Sequence, residues 1–173
     1  MLFFPEKRKR EVIEQIILEK YNQYYRLAYS YVHNEADAGD IVQNGAYRAL
    51  RGCLGLKQPE FAETWVYRIM LNECFRFLKQ PANMSVDAMQ EEQKTGMGFV
   101  VEDTYGNIDL QRALEELSEG DRAIVILKYF EDRKLEEIAD IMDENVNTIK
   151  SRLYRSLKKL REALGTESGK CKY

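Results

Sequence analysis

Apolar residues recur at steps of three and four along most of the chain, and this spacing limits the possible folds more than any other feature. Between Glu11 and Val32 the apolar positions are Val12, Ile13, Ile16, Ile17, Tyr21, Tyr24, Tyr25, Ala28 and Val32. Such steps place side chains on one side of an α-helix, whereas a half-buried strand needs strict alternation. Only three prolines interrupt the 173 residues, and no long Val/Thr-rich alternating run is present. The expected fold class is all-α.

The first helical pattern runs from Glu11 to Val32, with a break expected near Asn22. Asn34 can cap a second helix, with Asp37 at its third position. That helix carries Ala38, Ile41, Val42, Ala46, Ala49 and Leu50, and ends near Gly52, where glycine suits a helix stop. After a loop at 56–60, residues from Phe61 to about Gln80 form a third amphipathic unit, closed by Pro81.

Residues 81–107 have a different character. They show no sustained period and hold five acids (Asp87, Glu91, Glu92, Glu102, Asp103) against Lys94 alone. Length and polarity there predict a flexible acidic linker. It separates an N-terminal helical domain, 1–80, from a C-terminal one, 108–173. Helical spacing resumes with Leu110, Ala113, Leu114 and Leu117, then Ala123, Ile124, Leu127 and Phe130. A short helix over 135–142 and a long one from Val146 to Leu164 follow, with turns at 118–121, 131–134 and 143–145.

The long last helix is the basic one. From Glu144 to Arg161 there are six basic residues and no acid after Glu144, in a chain of formal charge −3. Its apolar stripe is Val146, Ile149, Leu153, Leu157, Leu160 and Leu164. The opposite face holds Asn147, Ser151 and Arg155, flanked by Thr148, Lys150 and Arg152. Short polar residues at the start of a helix, followed by cations, suit a recognition helix in a DNA major groove. Lys158 and Lys159 lie further along, where phosphates are the expected contacts. The preceding helix, three intervening residues and this helix have the helix-turn-helix rhythm. The usual turn glycine is missing, and Asp143 stands in that region; Asp tolerates the left-handed conformation better than most residues. The bland alternative is a solvated basic face on an ordinary helical bundle.

Other classes find little support. There is no Gly-rich phosphate loop, no Ser-His-Asp set and no HExxH, so no enzyme is expected. One histidine, His33, and three dispersed cysteines without CxxC spacing give no metal site and no implied cofactor. Cys53, Cys74 and Cys171 are expected to be reduced. No apolar run approaches the ~20 residues needed to cross a bilayer, and the apolar patch of Met1–Pro5 precedes its basic cluster, the reverse of a signal peptide. A cytoplasmic protein that is not membrane-embedded is expected.

Two separate blocks resemble one family. The run from Glu35 to Leu50, with Asp37-Ala38-Gly39-Asp40 followed by Ile41-Val42-Gln43, resembles the core-polymerase-binding helix of bacterial sigma factors. Thr64 to Lys79, with its Trp65, Arg68-Ile69 pair and Asn72, resembles the helix of that family that binds the promoter −10 element. Leu117 to Leu164 resembles the −35-binding domain, and the two-bundle organisation is similar to the extracytoplasmic-function type of the sigma-70 family. Some positions depart from the family pattern. Asn44-Gly45-Ala46-Tyr47 replaces an acidic residue, a small one and Phe; a helical glycine costs roughly 1 kcal/mol relative to Ala. Arg76 replaces a common Asp, and Glu144 stands where an apolar residue is usual.

The resemblance implies a subunit without catalysis that binds core RNA polymerase through its clamp helices and recognises −35 and −10 elements of promoter DNA. It implies help with promoter melting, no small-molecule substrate, and an anti-sigma factor as inhibitory partner. The implied polymerase contacts are Asp40, Gln43, Asn44 and Tyr47. The implied −10 contacts are Arg68, Asn72, Arg76 and Lys79, on one face by their spacing, and the loop 56–63 is where the family captures a flipped base. The −35 contacts are Asn147, Thr148, Lys150, Ser151, Arg152, Arg155, Lys158 and Lys159. A conventional helix-turn-helix regulator with a sensing or dimerising N-terminal half, and a helical adaptor without a DNA role, are the alternatives.

Overall fold

The computed structural model of the chain describes residues 5–81 and 108–168, and the expected linker and the extreme termini lie outside them. The described residues form seven α-helices and two short 3₁₀ turns, with no strand among them. Helix α1 spans Glu6–Val32, α2 Glu35–Arg51 and α3 Ala62–Lys79; then come α4 Ile108–Glu115, α5 Glu119–Tyr129, α6 Leu135–Met142 and α7 Val146–Ser168.

The first helix is longer than its apolar pattern and does not break at Asn22. It starts five residues earlier than Glu11, because Pro5 is preset for a helix entry and Glu6 complements the N-terminal dipole. Asn22 is exposed and its backbone stays in the intrahelical ladder, so nothing forces a break there. The stop comes at His33, which adopts the left-handed conformation (φ 50°) while its N–H donates to the Tyr29 carbonyl. Asn34 then caps α2 by accepting from the Asp37 N–H at 2.9 Å. Ser118, expected in a turn, instead caps α5 by accepting from the Asp121 N–H at 3.2 Å, so 119–121 are already helical.

Helices α1, α2 and α3 pack on one another, and α7 packs on α4, α5 and α6. Ile13, Leu27, Tyr24, Ile41, Val66, Tyr67 and Met70 fill the first core; Ile124, Leu127, Ile138 and Ile149 fill the second. Each fully buried aliphatic side chain contributes about 1.5–3 kcal/mol of burial. The two groups also touch each other, through α3 against α6.

Gly45 has a packing role. It is buried in α2, and a Cβ there would run into the Met70 sulfur, itself in the core. The glycine that is poor for helix propensity lets α2 and α3 approach. Gly45→Ala is expected to lose about 1 kcal/mol in urea unfolding, overpacking outweighing the propensity gain. In a Met70→Ala background the same change should stabilise by about 1 kcal/mol, since the obstacle is gone.

Candidate nucleic-acid interface

The turn before α7 sets the direction of the basic helix. Asp143 adopts the left-handed conformation (φ 56°, ψ 44°), and its N–H returns to α6 carbonyls. The Asn145 side chain then accepts from the Asn147 N–H at 2.8 Å, so α7 starts immediately after the turn. Ile149, Leu153 and Leu160 are buried against α4–α6, and Ser156 is buried beside them. The opposite face is therefore forced outward. Asn147, Thr148, Lys150, Ser151, Arg155, Lys158 and Lys159 are all exposed on it.

Arg152 behaves differently from its neighbours. Its Nε donates to Asp121 at 2.7 Å and its Nη1 to Glu144 at 2.5 Å, and only 19% of its side chain is accessible. Burial raises the Asp121 carboxyl, but the hydrogen bonds from Arg152 and Ser118 outweigh it and leave the group below its ordinary range. Glu144, unusual for the family, is thus a partner of Arg152. This guanidinium ties α5, the turn and α7 together, and its donors are turned into the protein. Spacing alone misses that, because Asp121 is 31 residues away. Conversely, Tyr154 was absent from the expected contacts and is 74% exposed in the middle of the basic face, between Ser151 and Lys158. A large aromatic at that position, three residues from Ser151, was the available signal.

In the N-terminal bundle, Asn72, Arg76 and Lys79 are exposed along α3, and Phe61, in the 3₁₀ turn before it, is 51% exposed. Trp65 is half-buried against the core. Arg68 lies on the same face but turns toward the other bundle. Its Nη2 donates to the Asp140 carbonyl at 2.5 Å and its Nε to the Ile141 carbonyl at 3.3 Å. These carbonyls belong to the last turn of α6, where a cation is favoured. Phe61, Trp65 and Arg68 face Asp140, Asp143 and Asn145 across an open cleft of about 430 Å³. Asp40, Gln43, Asn44 and Tyr47 form an exposed stripe on α2, with Tyr47 62% exposed.

The junction between the bundles carries several polar contacts. Arg133, from the loop before α6, lies 2.7 Å from Glu63 of α3 and above the Tyr67 ring; Lys20 of α1 lies 3.2 Å from the same carboxylate. Burial raises the Glu63 carboxyl, yet hydrogen bonds from Arg133 and Lys20 prevail and hold it below the usual glutamate range. Nearby, the Tyr31 hydroxyl donates to the Glu119 carbonyl at 2.9 Å, and Arg122 stacks over the Tyr31 ring.

An exposed recognition helix after a left-handed turn, carried with a second helical bundle, defines a helix-turn-helix DNA-binding protein of two-bundle organisation. Comparison with known proteins resolves the class further. Sigma-70 region 2 is matched by residues 16–83 and Sigma-70, region 4 by residues 107–160. The chain is 42% identical over 151 residues to the RNA polymerase sigma factor SigV of Bacillus subtilis, covering 87% of this chain and 90% of that relative. It is 30% identical over 133 residues to the ECF RNA polymerase sigma-E factor of Escherichia coli, covering 69% and 70%. Among solved structures, CnrH in complex with the cytosolic domain of CnrY shares the fold, with TM-score 0.66, 19% identity, and 89% and 88% coverage. So does RpoE in complex with the anti-sigma factor NepR from Bartonella quintana, with TM-score 0.61, 22% identity, and 88% and 96% coverage. The chain belongs to the extracytoplasmic-function sigma factors of the sigma-70 family. A sigma factor binds core RNA polymerase, recognises −35 and −10 promoter elements and assists melting.

Two measurements check the roles of these charges. Arg152→Ala is expected to lower stability by about 1–2 kcal/mol in denaturant titration, whereas Arg155→Ala changes it by no more than about 0.5 kcal/mol. The depressed Glu63 carboxyl supports the junction at neutral pH. That support is complete above the ordinary glutamate value of about 4.3 and is lost as pH falls through the lower value it has in the closed arrangement. Small-angle scattering should show the chain expanding on acidification, and Arg133→Ala should shift that expansion to higher pH.

Proposed function

We propose that residues 1–80 form the domain that holds core polymerase and the −10 element, and residues 108–173 the domain that reads the −35 element. The observation that carries this reading is the outward face of α7, where Asn147, Ser151, Arg155 and Lys158 stand exposed opposite the buried stripe. Asn147 and Ser151 are short and sit near the start of the helix, so base edges are within their reach; Arg155 suits guanine. Thr148, Lys150, Lys158 and Lys159 meet phosphates on either side. Tyr154 joins this face, its ring available to a thymine methyl group and its hydroxyl to a phosphate. Arg152 contributes by fixing the helix, not by reading bases.

On the other bundle, Asn72, Arg76 and Lys79 follow the separated −10 strand, and the turn that exposes Phe61 receives an unstacked base. Arg68 reaches DNA only when it leaves the end of α6, so promoter engagement and the closed junction exclude each other. The stripe Asp40, Gln43, Asn44 and Tyr47 docks on the polymerase clamp helices. The protein acts in the cytoplasm and has no catalytic activity of its own. The solved relatives bound to CnrY and to NepR motivate an anti-sigma partner for this chain as well.

Reconstituted transcription tests the reading. Core polymerase with this chain should start RNA synthesis at sites sharing two spaced upstream motifs, and core alone should not. Arg155→Ala should lower −35-dependent initiation about tenfold or more at unchanged stability. Retention of full, site-specific initiation by the combined Asn147→Ala, Ser151→Ala and Arg155→Ala variant would refute the −35 assignment.

A further inference from the structure

A single buried carboxylate on α3 holds two arginines from two helices. Glu73 has 7% of its side chain exposed. Its Oε1 lies 2.5 Å from Arg48 Nε of α2 and accepts from Arg76 Nη1 of α3 at 2.9 Å. The two arginine side chains are 50% and 47% exposed. Because both lie against one oxygen, Arg76 as a hydrogen-bond donor and Arg48 as an ion pair, the guanidiniums meet at the surface.

One arginine is enough to neutralise one carboxylate. The second leaves the triad with a charge of about +1, on the outside of a chain whose formal charge is −3. Each guanidinium has five donors in a rigid fork. Arg76 Nη1 donates inward to Glu73 and Arg48 Nε lies against the same oxygen, while about half of each side chain is open to solvent. Paired guanidiniums open to solvent in this way match the two non-bridging oxygens of a phosphodiester. The pair also continues the exposed α3 row of Asn72, Arg76 and Lys79 onto α2.

We infer that Arg48 and Arg76 form a phosphate clamp for the single-stranded promoter backbone, and that Glu73 is the positioning residue that sets their spacing. This rests on the −10 role proposed for α3. It adds Arg48, which lies beside the polymerase-facing stripe of α2, to the DNA contacts. The contact is to the backbone, so it is independent of base sequence.

The test uses the holoenzyme, this chain bound to core polymerase, and a fluorescein-labelled single-stranded DNA of mixed sequence. Binding is followed by anisotropy between about 50 and about 200 mM salt. Arg48→Ala is expected to reduce affinity about tenfold. It should also reduce the slope of log K against log salt by about 0.7, the loss of one phosphate contact on a single strand. Glu73→Gln discriminates positioning from bulk charge. Removing a negative charge should raise DNA affinity if only net charge matters; loss of the shared anchor should lower it. An unchanged slope in Arg48→Ala, or equal or tighter binding in Glu73→Gln, overturns the inference. Core affinity is measured for both variants, and a defect confined to core binding also overturns it. If wild-type holoenzyme fails to initiate at specific sites, the wider reading fails, an outcome separate from these.

Discussion

Burial of one apolar stripe on α7 decides what every charge near it can do. With Ile149, Leu153 and Leu160 against the rest of the C-terminal bundle, residues about 180° away must face solvent, and residues at the border are shared. Asn147, Ser151, Tyr154 and Lys158 fall near the centre of the outer face. Arg152 falls at the border and is drawn inward by Asp121 and Glu144. The same constraint explains why the basic run can be long without collapsing the helix onto the acidic remainder of the chain. Its cations are held at a distance by the geometry of the stripe.

Several acidic residues in this protein act as anchors for arginine. Glu63 holds Arg133 and Lys20, Asp121 and Glu144 hold Arg152, and Glu73 holds Arg48 and Arg76. An exposed arginine has many rotamers, and ordering one costs up to about 2 kcal/mol of side-chain entropy. A fixed carboxylate removes part of that cost before any DNA arrives. Burial works in the opposite direction on groups without such partners. The Cys74 thiol is pushed up to about 12, so it stays protonated and inert as a core residue.

Local features of the fold were legible because local chemistry controls them. The Asn34 cap, the left-handed Asp143 and the stripe of α7 depend on residues within one or two turns, and all are present as the spacing predicts. The failures are of another kind. A break was expected near Asn22, but residues buried on both sides of it, Ile13 and Ile17 before and Tyr24 and Leu27 after, carry the helix through. Gly45 read as a defect in α2 because its partner, Met70, comes 25 residues later. Arg68 and Arg152 were placed on the correct helices, yet their orientation depends on α6 carbonyls and on Asp121, and no periodicity reports such distant partners.

The junction between the bundles gives these orientations an energetic consequence. Arg68 caps the C-terminal carbonyls of α6 in the closed arrangement, so any ligand that draws it away must replace those hydrogen bonds. The α3–α6 contact and the DNA contact proposed for Arg68 would then be competing states of one equilibrium. By linkage, whatever stabilises the contact weakens the DNA interaction by the same factor, and DNA weakens the contact in return. The contact includes a handful of polar interactions, each worth about 0.5–1.5 kcal/mol net. That is large enough to hold the free chain closed and small enough for a polyanion with several phosphate contacts to open it. A junction without these polar contacts would not couple its opening to Arg68, whereas this one leaves the opening responsive to what binds the proposed −10 face.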